Sequence, residues 1–121
     1  MILADTHILV WLTGKNSRLP DAARDKLLDE PFAVSAAVAF EYADLQHRGR
    51  LDHAPPLEIL RLGLEFAILP FAEEAAMLAE QLEHIHGDPV DRMLIAHALA
   101  LDATLATADA NIRRYPVKTL W

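Results

Sequence analysis

The chain contains no cysteine. That excludes disulfide scaffolds, zinc-thiolate centres and thiol nucleophiles, and it is compatible with a reducing compartment. No apolar run approaches the roughly 20 residues needed to span a bilayer, so no membrane association is expected. The opening Met1-Ile2-Leu3-Ala4-Asp5 has no basic stretch and meets an acid too early for a secretion signal. The expected location is the cytoplasm. Basic residues are scarce as well: 11 Lys and Arg stand against 18 Asp and Glu, a net charge of -7. A chain of that sign does not hold nucleic acid by bulk electrostatics. Any such role needs a local basic patch or a bridging cation. What is present, 53% hydrophobic and 24% charged residues over a length of 121, fits one globular domain spanning residues 1–121.

Taken in order, Ile2-Leu3-Ala4 is apolar without alternation, the pattern of a central strand covered on both faces. A helix follows from His7 to Gly14, capped by Asp5 or Thr6. A polar loop from Lys15 to Pro20 leads to a second helix, Asp21 to Glu30, with Ala22, Ala23, Leu27 and Leu28 available for its apolar side. Phe32 to Ser35 predicts a second buried strand, and Ala36 to Arg48 a helix capped by Ser35 and ended by Gly49. After a loop from Arg50 to Pro56, Leu57 to Glu65 is helical and Phe66 to Pro70 a third strand. Glu73 to His84 predicts an amphipathic helix with Ala75, Leu78, Ala79 and Leu82 on one face. Ala103 to Thr107 is a fourth strand, Ala110 to Tyr115 a short turn or helix, and Pro116 to Trp121 a candidate edge strand. The alternation predicts an α/β fold with a mostly parallel sheet and helices on both faces.

The stretch from His86 to His97 places two acids at the mouth of an apolar helix that runs to about Leu101. Asp88 reads as the N-cap, Pro89 as the first helical residue and Asp91 as the third. Two readings are open. Both acids can form a capping box that complements the helix dipole, or Asp91 can belong to an acidic metal site. Asp5 follows the first strand directly, Asp109 lies two residues past the fourth, and Glu41 sits in the helix after the second. Each alone can be a cap, a turn residue or a solvated side chain. Together they converge on the carboxyl edge of a parallel sheet, where open α/β folds bind ligands. Clustered carboxylates repel unless a cation neutralises them. An all-oxygen donor set suits a hard cation, Mg²⁺ or Mn²⁺, completed by phosphate oxygens of a substrate. The reading is metal-assisted hydrolysis of a phosphodiester, with no covalent intermediate.

At this point the sequence resembles the PIN domain, specifically the VapC-like, PilT N-terminus type of small ribonuclease. The likeness covers essentially the whole chain. It is carried by Leu3-Ala4-Asp5-Thr6-His7 with Trp11-Leu12, by Val34-Ser35-Ala36 leading to Glu41, by His86-Gly87-Asp88-Pro89-Val90-Asp91-Arg92-Met93-Leu94-Ile95-Ala96, by Leu105-Ala106-Thr107-Ala108-Asp109, and by Tyr115-Pro116-Val117. The resemblance implies a Rossmann-like three-layer α/β/α sandwich and Mg²⁺- or Mn²⁺-dependent cleavage of RNA. It also implies a homodimer and the toxin role in a type II toxin-antitoxin pair, with a cognate antitoxin as partner. Matched residue by residue, Asp5, Glu41, Asp91 and Asp109 are the four acids, with Asp5, Asp91 and Asp109 on the metal, and Asp88 keeps the cap. Thr6 and Thr107 match small hydroxyl residues that accompany such sites. Val38 and Phe40 depart from the Ser and Trp common in this subtype, which reads as a packing change.

Further residues have two readings each. Arg92 is either a phosphate contact or the partner of a nearby acid. Arg113, Arg114 and Lys118 are either a patch that guides an RNA backbone or a solvated surface. His86 reads as a loop-shaping residue and His97 as a helix-packing one, since no paired metal-ligand spacing accompanies them. Trp11, Leu12, Met77 and Leu78 read as core, with a dimer face as the alternative. Other functions remain for comparison. A receiver-like Mg²⁺-binding module needs an Asp at the end of the third strand, where this chain has Leu69-Pro70-Phe71. A PIN nuclease outside toxin-antitoxin biology is distinguished by the neighbouring gene.

Overall fold

Each short apolar run set between helices becomes a strand of one parallel sheet. The computed structural model describes residues 1–14, 18–51 and 54–120. Residues 15–17 and 52–53 of the two expected polar loops, and Trp121 of the expected last strand, lie outside the described residues. The strands are β1 (Ile2–Ala4), β2 (Ala33–Ser35), β3 (Ala67–Leu69), β4 (Thr104–Ala106) and β5 (Lys118–Thr119), in the order β3-β2-β1-β4-β5. All neighbours pair in parallel, with Leu3 opposite both Ala33 and Leu105. β1 is central and buried throughout. The strand order reverses there, with β2 and β3 on one side and β4 and β5 on the other. Such a switch point opens a crevice beyond the carboxyl ends of β1 and β4.

Among the described residues six α-helices flank the sheet: α1 (Thr6–Thr13), α2 (Asp21–Asp29), α3 (Ala36–His47), α4 (Leu57–Leu64), α5 (Glu73–Gln81) and α6 (Pro89–Leu101), with a short 3-10 helix at Ile112–Arg114. On α2 only Ala23 and Leu27 are buried, whereas Ala22 and Leu28 face solvent. Residues four apart share a helix face and their immediate neighbours rotate off it. α5 ends at Gln81, three residues before the expected His84, because Leu82 turns extended and the carbonyls of Ala79, Leu82 and Glu83 are taken by the Arg92 guanidinium. Met77 of α5 is 58% exposed, so it lies outside the core assigned to it.

α6 is the rigid mount of the fold. Asp88 Oδ1 accepts from the Val90 and Asp91 amides at 2.9 and 3.1 Å, and Pro89 opens the first turn. The five consecutive residues Leu94 to Ala98 are all buried, which covers every face of the helix. Burying Leu94 and Ile95 contributes roughly 1.5–3 kcal/mol each. One polar contact sits inside this packing. Ser35 Oγ caps α3 through the Ala37 amide and lies 2.8 Å from His97 Nδ1 on α6. The His97 ring also meets Phe71 edge-on, and burial lowers its pKa, favouring the neutral imidazole. Both polar groups are buried, so removing one leaves the other unsatisfied. Ser35→Ala is expected to cost about 1–3 kcal/mol of stability, read from the urea midpoint at unchanged denaturant slope.

Candidate active site

The crevice at the switch point is where the acids meet. Asp5 leaves β1 still paired to β4, its amide donating to the Ala106 carbonyl at 3.0 Å. Its carboxylate is nearly buried, and both oxygens are engaged. Oδ1 accepts from the Thr6 amide at 2.6 Å, which caps α1, and Oδ2 accepts from the Thr107 hydroxyl at 2.9 Å. Thr107 Oγ1 in turn accepts from the Asp109 amide at 3.1 Å. On the other side, the buried Thr6 hydroxyl donates to Glu41 Oε1 at 2.6 Å. Asp109 Oδ1 receives the Asn111 amide, and Oδ2 lies 3.9 Å from His86 Nε2. That same nitrogen lies 2.7 Å from Asp91 Oδ2. Hydrogen bonds therefore run from Glu41 through Thr6, Asp5 and Thr107 to Asp109, and His86 bonds Asp91 and lies 3.9 Å from Asp109. They draw on residues from four parts of the chain.

The electrostatics follow from that crowding. Burial raises the pKa of Asp5, against the bonds from Thr107 and Thr6 and the charge of His7, while Asp109 adds repulsion. Burial also raises Glu41, opposed by the Thr6 hydroxyl and reinforced by Asp88 and Asp5. Asp91 is pushed up to about 6, first by burial, with Asp5, Asp88 and Asp109 adding like charge and the His86 bond pulling the other way. A divalent cation relieves all of these at once. The donor atoms of His86, Asp91 and Asp109 lie within 4.8 Å of one another and could hold such an ion. Asp5 is not one of these three; it bonds the neighbouring Thr107, and its charge adds to the rise of the Asp91 pKa. A cavity of about 200 Å³ bounded by Asp5, His7, Trp11, Ala108 and Asp109 opens beside it.

A family model, the PIN domain, matches residues 2–118. The chain belongs to the PIN domain family. It is 30% identical to ribonuclease VapC22 of Mycobacterium tuberculosis over 129 aligned positions, covering 99% of this chain and 98% of that protein. Two solved structures share the fold. FitAcB from Neisseria gonorrhoeae superposes with a TM-score of 0.72 at 24% identity, over 98% of this chain and 96% of that one. VapBC2 from Rickettsia felis, bound to a promoter DNA fragment, gives 0.68 at 21% identity, over 98% and 97%. The expected three-layer α/β fold is thereby matched, and among the described residues no helix of this PIN domain is long and apolar enough to cross a membrane.

Within this PIN domain, several expected side-chain roles change. Thr6 and Thr107 were expected beside the substrate, yet both are buried with hydroxyls committed to Glu41 and Asp5. They orient the acids. Arg92 meets neither a phosphate-facing opening nor an acid. Its guanidinium closes the end of α5 on three carbonyls and also donates to the Tyr115 hydroxyl. Carbonyls left unpaired at a helix end are strong acceptors, which accounts for that choice. Arg113, Arg114 and Lys118 do not form one patch. Arg113 reaches the Thr107 carbonyl at the site end of β4. Arg114 lines a separate cavity with Leu82, Ile85 and Tyr115. Lys118 pairs with Asp102 and lies opposite Thr104, at the other end of the sheet.

The Val38 and Phe40 positions divide. Val38 is core, whereas Phe40 is 70% exposed and no part of the packing. Glu41 nevertheless points to the site because Thr6 holds it. His86, read as a loop-shaping residue, lies in the loop before α6, and its ring also meets Asp91 and Asp109. The five-residue gap to Asp91 across a helix cap carries no standard ligand signature. His7, given no role, and Trp11, read as core, lie four apart on α1 and line the cavity.

A test follows from the raised Asp91 pKa. In the folded, metal-free protein this carboxyl stays protonated up to about 6, against 3.8 for an ordinary aspartate. The folded state then binds the extra proton, so the Asp91 contribution to stability is full below about pH 4 and is lost as pH rises through about 6. Asp91→Asn removes that fall and raises metal-free stability above neutral pH by about 1 kcal/mol, after allowing for solvent screening. Urea midpoints of both proteins in chelator across that window check it.

Proposed function

We propose that this PIN domain is a divalent-metal-dependent ribonuclease that hydrolyses RNA phosphodiester bonds at the Asp5, Glu41, Asp91 and Asp109 site. The observation that carries the reading is the gathering of four carboxylates beyond the ends of β1 and β4, three joined by hydrogen bonds through Thr6 and Thr107 and the fourth, Asp91, bonded to His86, which lies 3.9 Å from Asp109. Kinship with ribonuclease VapC22 supports RNA as the substrate class. Asp5, Asp91 and Asp109 hold the ion, with Mg²⁺ and Mn²⁺ the candidates for an oxygen-rich donor set. When bound, it supplies Lewis acidity to a phosphoryl oxygen and counter-charge to the backbone. This answers the charge problem of an acidic protein that acts on a polyanion.

The chain's own groups do the rest. Glu41 is half-buried with a raised pKa, and its Oε1 is fixed by Thr6. It receives the proton of the attacking water as general base. Thr107 fixes Asp5 and the Asp109 backbone together, so the two ligands keep their separation before substrate arrives. Arg113, on the 3-10 helix beside Thr107, reaches this edge and contacts the RNA backbone.

The protein acts in the cytoplasm as the toxin of a toxin-antitoxin pair, bound by a cognate antitoxin. A homodimer is part of the same reading, with Met77, exposed on α5, available for its face. Glu41→Gln is expected to reduce RNA cleavage by about 100-fold or more while metal binding is retained. Asp91→Asn abolishes cleavage together with the metal-induced rise in melting temperature. Full activity in either folded variant overturns the assignment. Expression of the wild type alone arrests growth, and co-expression with the adjacent gene relieves it. Relief absent, with RNA cleavage intact, leaves a PIN nuclease outside toxin-antitoxin biology.

A further inference from the structure

We infer that His86 supplies a nitrogen ligand to the ion held by Asp91 and Asp109, making a mixed nitrogen-oxygen centre that favours Mn²⁺ over Mg²⁺. The inference rests on the proposed metal centre and deepens it.

The geometry is the first argument. An octahedral ion with bonds of about 2.1 Å sets adjacent donors about 3.0 Å apart and opposite donors about 4.2 Å apart. His86 Nε2 lies 2.7 Å from Asp91 Oδ2 and 3.9 Å from Asp109 Oδ2. All three donor atoms lie within 4.8 Å of one another, so His86, Asp91 and Asp109 would hold one ion together. A neutral imidazole with its proton on Nδ1 presents the Nε2 lone pair to that ion.

The second argument is how the histidine is mounted. The Tyr115 hydroxyl oxygen accepts from the Ile85 and His86 amides at 3.1 and 3.0 Å and from Arg92 at 3.2 Å. Arg92 ties the same segment to the end of α5. The backbone at His86 is thus held independently of its ring, and the α6 cap is supplied by Asp88. The ring is left to its contacts with Asp91 and Asp109. His97 shows the contrast. It is 3% exposed, paired to Ser35 and stacked edge-on against Phe71, and it packs.

The consequence is selectivity. Mg²⁺ favours oxygen donors and retains its waters, whereas first-row transition ions accept imidazole more readily. Replacing His86 therefore costs Mn²⁺ affinity more than Mg²⁺ affinity.

The test is electron spin-echo envelope modulation on the Mn²⁺-loaded, full-length protein, with binding stoichiometry measured in parallel. Directly bound histidine nitrogen is expected in the wild type and is identified by isotopic labelling of histidine. His86→Gln is expected to bind Mn²⁺ without that signal and to lose about tenfold of the Mn²⁺-over-Mg²⁺ preference. Stoichiometric Mn²⁺ without histidine modulation in the wild type overturns the inference and leaves the metal centre standing. Modulation that persists in His86→Gln overturns it too, by assigning the nitrogen to another histidine. Failure of the wild type to bind Mn²⁺ overturns the metal centre and the inference with it. The wild-type spectrum decides the question even if His86→Gln does not fold.

Discussion

Asp5 is nearly buried at the end of the central strand, and an isolated carboxylate there is costly unless its oxygens are satisfied. One is satisfied by the first amide of α1 and the other by the Thr107 hydroxyl beyond β4. The two strands that meet at the switch point are therefore joined at their ends by a side-chain bridge as well as by their ladder. Residues 102 apart in sequence make that bridge. Its position sets where α1 starts, where the Asp109 loop turns and where the cavity opens.

The remaining acids depend on the same arrangement. Thr6, held in the first turn of α1 by the Asp5 cap, is the residue that draws Glu41 inward. Asp91 arrives from the opposite direction on α6, whose burial on every face leaves its first turn little freedom. Burial raises the pKa of Asp5, Glu41 and Asp91, and like charge from neighbouring acids adds to the rise. That stored repulsion makes the centre receptive to a cation. A net charge of -7 has the same implication at the scale of the whole molecule.

Residues around the cluster divide by what they hold. Arg92 and Tyr115 lie just outside it and spend their polar atoms on backbone, tying α5, α6 and the segment before α6 together. A family motif in which Arg follows Asp91 invites an electrostatic role for that Arg, yet the guanidinium turns toward helix-end carbonyls. Adjacent residues at the start of a helix point about 100° apart, so Asp91 and Arg92 cannot both face the crevice.

The alternation of apolar runs with helical periods by itself determined the parallel α/β sheet, the central place of β1 and the Asp88 cap, because strand and helix periodicities are local properties of the chain. Of the four acids, Asp5 directly follows a strand and Asp91 lies in the first turn of a helix, whereas Asp109 stands past β4 and Glu41 lies within α3, where the family resemblance singled them out. Only the tertiary structure decided which groups touch. It turned Thr6 and Thr107 into braces for carboxylates and split Arg113 from Lys118 across the two ends of the sheet. It left Met77 and Phe40 in solvent. It also brought His86 between Asp91 and Asp109. Those outcomes depend on side-chain direction and on contacts between distant segments, neither of which spacing along the chain encodes.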